Sequence, residues 1–330
     1  MIRPPEMSAD FPKKVHGGIS TTTKVWAMLS AARDGDLQRT AELAAEQPAL
    51  LTCMYDYTTP LHFAVLRGHV DIVHYLVQNG ALDPTYLTHP FRDPLVTMAE
   101  DRGQTAIAEF LTESLKDPAL THEWGDTGGI DHGKPGTQKR FEELVDRGEH
   151  AEVEALLKER PELARYEFAF WGEGILAMPA KGGDLPMLEL LLRYGARVPE
   201  MSKWGARYYF KHYDVAKFLL ANGMGPDHKN WRGFTLLHDM AFTGDVEKAA
   251  LLLDHGAKID VIDGEYSSTP LGYAARFGKP AIVSLLLERG ADPGKAGADW
   301  ATPVEWARKK GHPEIAEILA GASSVRVADC

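Results

Sequence analysis

A recurring Thr-Pro-Leu phrase constrains this chain more than any other feature of its sequence. The best copy begins Thr59-Pro60-Leu61-His62 and ends at Asn79-Gly80-Ala81. Similar starts follow at Thr235, Thr269 and Thr302. These last three lie about 33 residues apart, which is the period of a small two-helix unit stacked on its neighbours. The sequence therefore predicts a repeat protein.

The best copy also carries signals for where two helices begin and end. Thr59 suits a helix N-cap, and Pro60 suits the first helical position, where its missing N–H costs nothing. Gly68 ends the first helix because glycine adopts positive φ without strain. From Val70 to Leu76, apolar residues fall on one face of a second helix. Each unit is thus expected to be a helix–turn–helix pair followed by a turn-rich stretch.

These residues resemble the ankyrin repeat. The resemblance is close at residues 59–84, 235–260, 269–293 and 302–320, and weaker over most of the remaining chain. Two segments that look alike, 31–50 and 144–163, are similar to the opening units of bacterial ankyrin-like proteins. The resemblance implies an all-α solenoid of stacked helix-turn-helix units with short projecting β-hairpin loops. About nine repeats in two blocks are expected.

The two blocks are expected to be separated by a loop rich in Gly, Asp, Pro and His. A stretch this long without helical period is typical of a hinge or a functional segment. The predicted division is a flexible N-terminal tail at 1–20, a first block at 21–115, a linker at 116–138, a second block at 139–321 and a C-terminal tail at 322–330.

Composition narrows the class of protein. The formal net charge of −11 argues against a nucleic-acid binder, which would show a basic stripe. The only two cysteines, Cys53 and Cys330, form no disulfide framework, so a reducing, cytoplasmic setting is expected. No apolar run reaches the roughly 20 residues of a membrane span, and the first 20 residues lack the apolar core of a secretory signal.

The candidate site follows from the resemblance. In ankyrin-like arrays, partners are held on the concave side by hairpin residues and by the exposed ends of the first helices. Aromatic and arginine side chains, which dominate binding hot spots, cluster at these positions. The predicted groove residues are Phe170, Trp171, Glu173, Lys181, Tyr209, Phe210, Trp231, Arg232, Phe234, Phe242, Tyr266, Arg276, Phe277 and Trp300. Packing between repeats is the competing interpretation, and it is preferred for Trp204 and Tyr208.

Other motifs give no catalytic or metal site. The Gly128 to Lys134 stretch begins like a phosphate-binding loop, but Pro135 stands where a hydroxyl is needed to hold magnesium. The resemblance implies a structural role for His62 and His238, which bond backbone near the neighbouring hairpin. No catalytic residue, cofactor or metal is therefore expected.

The favoured function is a non-enzymatic module that binds a protein or an extended peptide in a concave groove of the second block. The alternative is an enzyme or a small-molecule-binding protein with a pocket between the two blocks, near residues 165–231. A deep pocket containing Glu173, Lys181, Tyr209, His212 or His228 would favour that alternative. No nucleic-acid or membrane partner is expected, and the oligomeric state stays open.

Overall fold

Pairs of short antiparallel helices repeat along the chain. The computed structural model describes residues 1–124 and 129–328. Residues 125–128, inside the predicted linker, and 329–330, at the end of the predicted C-terminal tail, lie outside the described part. The chain divides into two units: Arg3–Gly133, called here the first unit, and Lys134 onward together with Met1–Ile2, called the second unit.

The signals read from the Thr-Pro-Leu phrase act as predicted. The Thr59 hydroxyl accepts a hydrogen bond from the His62 N–H, Pro60 is the first helical residue, and Gly68 closes the helix at φ 75°. Thr269 and Thr302 cap their helices in the same way. Local capping thus sets the start and the length of the first helix in each intact repeat.

The first unit contains three helix pairs. Helices α1, α3 and α5 stack in one layer, while α2, α4 and α6 stack in a second. Each pair buries its apolar stripe against the next pair, as a solenoid requires. The bounds are α1 (Thr22–Asp34), α2 (Leu37–Glu46), α3 (Pro60–Arg67), α4 (Val70–Gln78), α5 (Leu95–Asp101) and α6 (Thr105–Ser114), with a 3-10 helix at Pro48–Thr52.

Residues 1–20, predicted to be a flexible tail, contain regular structure. A 3-10 helix covers Pro5–Met7, and β1 (Pro12–Val15) pairs antiparallel with β2 (Gly18–Thr21). Lys13 also forms a bridge with Ile130, so part of the predicted linker lies against this hairpin. Strands of four residues are too short for periodicity to reveal, and the bridge from Lys13 to Ile130 joins positions far apart in the sequence.

The second unit contains six helix pairs. The first helices stack as α7, α10, α12, α14, α16 and α18, and the second helices stack beside them. The bounds are α7 (Gly136–Asp146), α8 (His150–Glu159), α9 (Ala169–Gly172), α10 (Ala177–Gly182), α11 (Leu185–Arg193), α12 (Gly205–Tyr208), α13 (Tyr213–Ala221), α14 (Leu236–Thr243), α15 (Val246–Asp254), α16 (Pro270–Arg276), α17 (Pro280–Glu288), α18 (Pro303–Lys309) and α19 (Pro313–Ala328), with 3-10 helices at Pro161–Arg165 and Asp299–Ala301.

The described residues therefore form the expected all-α architecture with nine helix pairs. Beyond the hairpin, strand pairing between repeats is reduced to isolated bridges such as Met201 with Lys229. Helix α7 begins at Gly136, inside the predicted linker, and α19 extends to Ala328, inside the predicted C-terminal tail. Within the described residues, no helix has both the length and the apolar character needed to cross a membrane.

Candidate functional site

The motif histidines have structural roles, as the resemblance implies. The Nδ1 atom of His238 lies 2.8 Å from the Thr235 hydroxyl, and its Nε2 atom lies 3.2 Å from the Ser268 carbonyl oxygen in the next repeat. Burial lowers the pKa of His238, with a smaller opposing effect from Asp263. His238 therefore joins neighbouring repeats and does not face a ligand.

Most residues of the predicted groove are buried. A buried side chain does not contact a partner unless the repeat opens, so these residues do not form an accessible surface. The buried members are Phe170, Glu173, Tyr209, Phe210, Trp231, Arg232, Phe234, Tyr266 and Arg276. Lys181, Phe242, Phe277 and Trp300 are half-buried, and Trp171 alone of the fourteen is exposed, at 59%.

Tyr266 is buried because it packs against Trp306 on α18, the first helix of the following repeat. The Arg276 guanidinium lies between two rings, 4.2 Å from the Tyr266 ring centroid and 4.3 Å from that of Trp306. The Tyr266 and Trp306 rings also contact each other edge to face, at 5.6 Å. These cation–π and aromatic contacts stabilise the stack of repeats, so Arg276 has an internal role.

Arg232 is also held inside the second unit. Its Nη1 atom lies 3.1 Å from Oε2 of Glu265, and both side chains are buried. Arg232 also affects Asp239 on α14. Desolvation raises the pKa of the Asp239 carboxyl to about 7, and the positive charge of Arg232 partly opposes this rise. Arg232 thus pairs with the buried Glu265 inside the second unit.

Residues of the alternative small-molecule pocket form hydrogen bonds within the second unit. The Tyr209 hydroxyl donates a hydrogen bond to the Glu173 carbonyl oxygen, and the Ser202 hydroxyl lies 2.7 Å from Nε2 of His228. Burial raises the pKa of Tyr209 well above its usual value, and burial lowers the pKa of His228 to about 4. Both side chains are therefore neutral near pH 7, in a packed and hydrogen-bonded interior.

Trp171 stands on an unusual turn. Phe170 and Trp171 both have left-handed backbone angles, with φ of 44° and 62°, inside α9. Left-handed φ is costly for residues with a side chain, so the turn must be held in place by its surroundings. Oε2 of Glu142 accepts a hydrogen bond from the Phe170 N–H at 3.1 Å, and the Lys203 ammonium donates to the Trp171 carbonyl oxygen at 2.5 Å.

A patch of aromatic and cationic side chains continues from Trp171. Trp204 is half-buried and stacks nearly parallel to Tyr208, with ring centroids 6.3 Å apart. The exposed Arg207 lies over the Trp204 ring, with its Cζ atom 5.4 Å from the centroid. Tyr208 is buried, as its predicted packing role requires, but Trp204 keeps part of its surface in solvent.

The patch ends in two lysines near the end of α10. The Lys181 Nζ atom lies 5.8 Å from the centroid of the Tyr208 ring. The Lys211 ammonium donates to the Lys181 carbonyl oxygen at 3.2 Å, and the His212 ring also bonds this oxygen. We call the contiguous set Trp171, Lys181, Lys203, Trp204, Arg207 and Lys211 the basic–aromatic surface.

The remaining predicted groove residues form two smaller contacts. Phe242 and Phe277 meet edge to face at 4.6 Å. Trp300 packs against Trp306 at 5.7 Å, and the Lys309 ammonium lies 5.6 Å from the Trp300 ring centroid. These half-buried rings add apolar area near the ends of the first helices.

Sequence reasoning did not select Lys203, Arg207 or Lys211. The signal that could have found them is charge, because residues 203–211 contain three cations and no carboxylate in an acidic chain. The repeat alignment assigned Trp204 to the core and so hid this cluster.

The first unit has its own exposed hairpin aromatic. Tyr57 is exposed at φ 59°, and its ring lies 4.7 Å from that of His89. An acidic groove runs along α5 and α6 and includes Glu100, Glu109 and Glu113. Within the described part of the chain, no three His, Cys, Asp or Glu side chains are grouped so that they could hold a metal ion.

Stacked helix pairs with projecting loops define a helical repeat protein. Residues 203–297 match the family model for three copies of the ankyrin repeat, and residues 56–89 match the model for a single ankyrin repeat. The chain therefore contains ankyrin repeats within these two segments, and such repeats serve as protein–protein interaction modules.

Several curated proteins share part of this sequence. ARF GTPase-activating protein GIT1 of Homo sapiens is 40% identical over 83 residues, covering 25% of this chain and 11% of that protein. E3 ubiquitin-protein ligase Ufd4 of Drosophila melanogaster is 43% identical over 90 residues, covering 26% of this chain and 3% of that protein. Diacylglycerol kinase iota of Homo sapiens is 35% identical over 105 residues, covering 31% of this chain and 10% of that protein.

The chain thus spans about a tenth or less of the length of these relatives. Their names give three different activities, so the similarity follows a shared repeat and no particular activity. These relatives are animal proteins, and the bacterial resemblance of the opening units stays a prediction.

Proposed function

We propose that this protein is a non-enzymatic protein-binding module whose second unit binds a segment of its partner through the basic–aromatic surface. The observation that carries the proposal is the exposure of Trp171 on a strained turn. An indole that is 59% exposed gains only part of its possible packing energy from the folded chain, and strain persists where a function requires it. A rigid tryptophan in this position suits an anchor that a partner covers.

Packing around the surface supports a preorganised site. Trp204 is fixed by its stacking on Tyr208, and Lys203 is fixed by its bond to the turn at Trp171. Side chains held before binding lose little conformational entropy when the partner arrives. The half-buried Phe242, Phe277 and Trp300 extend the proposed contact along the later repeats.

A protein partner fits this surface better than an enzyme substrate. Glu173, Tyr209 and His228, the groups that catalysis would use, are buried and bonded internally. General acid–base catalysis requires a group within hydrogen-bond reach of the substrate. The second unit is therefore proposed to act by presenting a fixed surface.

Photo-cross-linking in cells tests this function. The full chain carries benzoylphenylalanine in place of Trp171, and the matched control carries it in place of Tyr213, which is exposed on the second-helix layer. We expect one or more proteins to be cross-linked at position 171 and not at position 213. Partners that co-purify with both variants but are not cross-linked at position 171 would contradict the proposal.

A further inference from the structure

The basic–aromatic surface carries cations that the chain does not neutralise. Within the described residues, no carboxylate forms an ion pair with Lys181, Arg207 or Lys211. Two exposed arginines elsewhere in the second unit do have such partners: Arg289 pairs with Asp254 at 2.7 Å, and Arg308 pairs with Glu305 at 2.8 Å. A group of unneutralised cations is unexpected where acidic residues outnumber basic ones by 47 to 36.

Two acidic groups near this surface accept hydrogen bonds from backbone N–H groups. Glu173 is buried, and its Oε1 atom accepts a hydrogen bond from the Lys203 N–H at 3.1 Å. The Asp214 carboxylate, at the start of α13, accepts one from the Val215 N–H. The surface cations thus present positive charge to solvent, and charge complementarity favours an anionic partner.

Arg207 is arranged to receive a carboxylate. Its guanidinium lies over the Trp204 ring and donates no hydrogen bond to any described residue. The guanidinium is thus held beside the ring while its N–H groups remain available, and that fork matches a carboxylate in bidentate geometry. Arg207 therefore forms one anion position beside an aromatic floor.

Lys181 and Lys211 form a second anion position at the other end of the ring pair. Arg207 contacts Trp204 at 5.4 Å, the two rings are 6.3 Å apart, and Lys181 contacts Tyr208 at 5.8 Å. Placed end to end, these distances limit the Arg207-to-Lys181 separation to about 18 Å. An extended chain rises about 3.3 Å per residue, so two carboxylates within about five residues can reach both positions.

We infer that the partner segment is acidic, with carboxylates no more than about five residues apart on either side of an apolar side chain that packs on Trp171 and Trp204. This inference rests on the proposed function, and it adds the chemistry of the partner. Binding then combines an aromatic anchor with two charge pairs at partly exposed positions.

Peptide selection on the full-length protein tests the inference. A phage-displayed library of random 12-residue peptides is selected at low salt, and the enriched peptides are synthesised for titration calorimetry. We expect enriched peptides to carry two or more carboxylates around an aromatic or aliphatic residue. Reversal of charge in Arg207→Glu or Lys181→Glu should weaken their binding about tenfold, and added salt should weaken it further.

Matched variants distinguish failure of the acidic-partner inference from failure of the proposed binding surface. Lys217→Glu makes the same charge change at an exposed lysine of α13 and should leave affinity within about twofold. Neutral or basic peptides that lose binding in Trp171→Ala would overturn the acidic inference and leave the binding surface standing. Peptides that bind Trp171→Ala, Arg207→Glu and wild type equally would contradict the surface itself.

Discussion

At the scale of single residues, burial separates the side chains that hold the repeats together from those that face solvent. Trp231 and Trp171 both occupy hairpin positions, yet Trp231 is fully buried and Trp171 is mainly exposed. The same residue type therefore lies in opposite environments two repeats apart.

Trp231 is expected to be a stability residue. Trp231→Ala should lower the free energy of unfolding by about 3–5 kcal/mol, because it removes a large buried side chain and leaves a cavity. Urea unfolding followed by circular dichroism measures this loss. Trp171→Ala is the control, with an expected change below about 1 kcal/mol, and equal losses in the two variants would contradict the assigned burial.

Asp239 should make stability depend on pH. Its pKa rises from 3.8 to about 7 on folding, so the folded chain keeps a proton that the unfolded chain has released between these values. The contribution of Asp239 to the free energy of unfolding is fully present below pH 4 and is lost as pH rises through 7. Since the side chain is only half-buried, we expect a loss of about 2 kcal/mol, less than the full shift implies.

The variant Asp239→Asn isolates this effect. It should unfold with a free energy about 2 kcal/mol higher than wild type at pH 8, and with little difference at pH 4. Asp254→Asn, at an exposed carboxylate, is the control. A wild-type advantage that persists at pH 8 would show that Asp239 is charged and favourably paired in the folded protein.

At the scale of elements, the N-terminal segment is fastened to the first unit by a buried polar cluster. The Tyr55 hydroxyl donates to Oε1 of Glu6 at 2.8 Å, and Nε2 of His132 lies 3.0 Å from Oε2 of Glu6. All three side chains are buried. One carboxylate thus joins segments that lie 49 and 126 residues away in the sequence.

Glu6→Ala should destabilise the first unit by about 3–5 kcal/mol, because it leaves buried hydrogen-bonding groups without their acceptor. The rate of backbone amide hydrogen exchange over residues 12–21 and 129–133 should increase together with this loss of stability. Glu46→Ala removes an exposed ion pair with Lys24 and serves as the control, with a change near 0–1 kcal/mol. Unchanged protection of both segments in Glu6→Ala would show that other contacts hold them.

A substitution in the turn at α9 should affect partner affinity without affecting stability. Glycine tolerates the left-handed backbone that Trp171 adopts, so Trp171→Gly relieves strain of about 1–2 kcal/mol while it adds entropy to the unfolded chain. We expect the free energy of unfolding to stay within about 1 kcal/mol of wild type while partner affinity falls at least tenfold. A stability loss above about 2 kcal/mol would assign Trp171 to packing.

At the scale of the whole molecule, the period of the sequence predicts the architecture well. The Thr caps, the closing glycines and the apolar stripes act locally, so residues such as Thr59 and Gly68 reveal their roles without a structure. Nine helix pairs in the described residues match the expected repeats. The order within residues 1–20 was missed because its contacts are non-local.

The candidate site was harder to predict because a repeat alignment gives position and not burial. It assigned Tyr266 to a hairpin, but only packing against Trp306 and Arg276 decides that the ring is covered. It also missed Arg207, whose role depends on the irregular helix α12. Where the consensus is lost, side-chain packing must be seen to assign function.

Hydrogen exchange of the full chain, with and without a saturating cross-linked partner or selected peptide, tests the central claim most directly. The basic–aromatic surface predicts that binding protects residues 169–172 and 203–212, with residues 213–221 unchanged. Protection confined to the first unit, or to the second-helix layer, would contradict it.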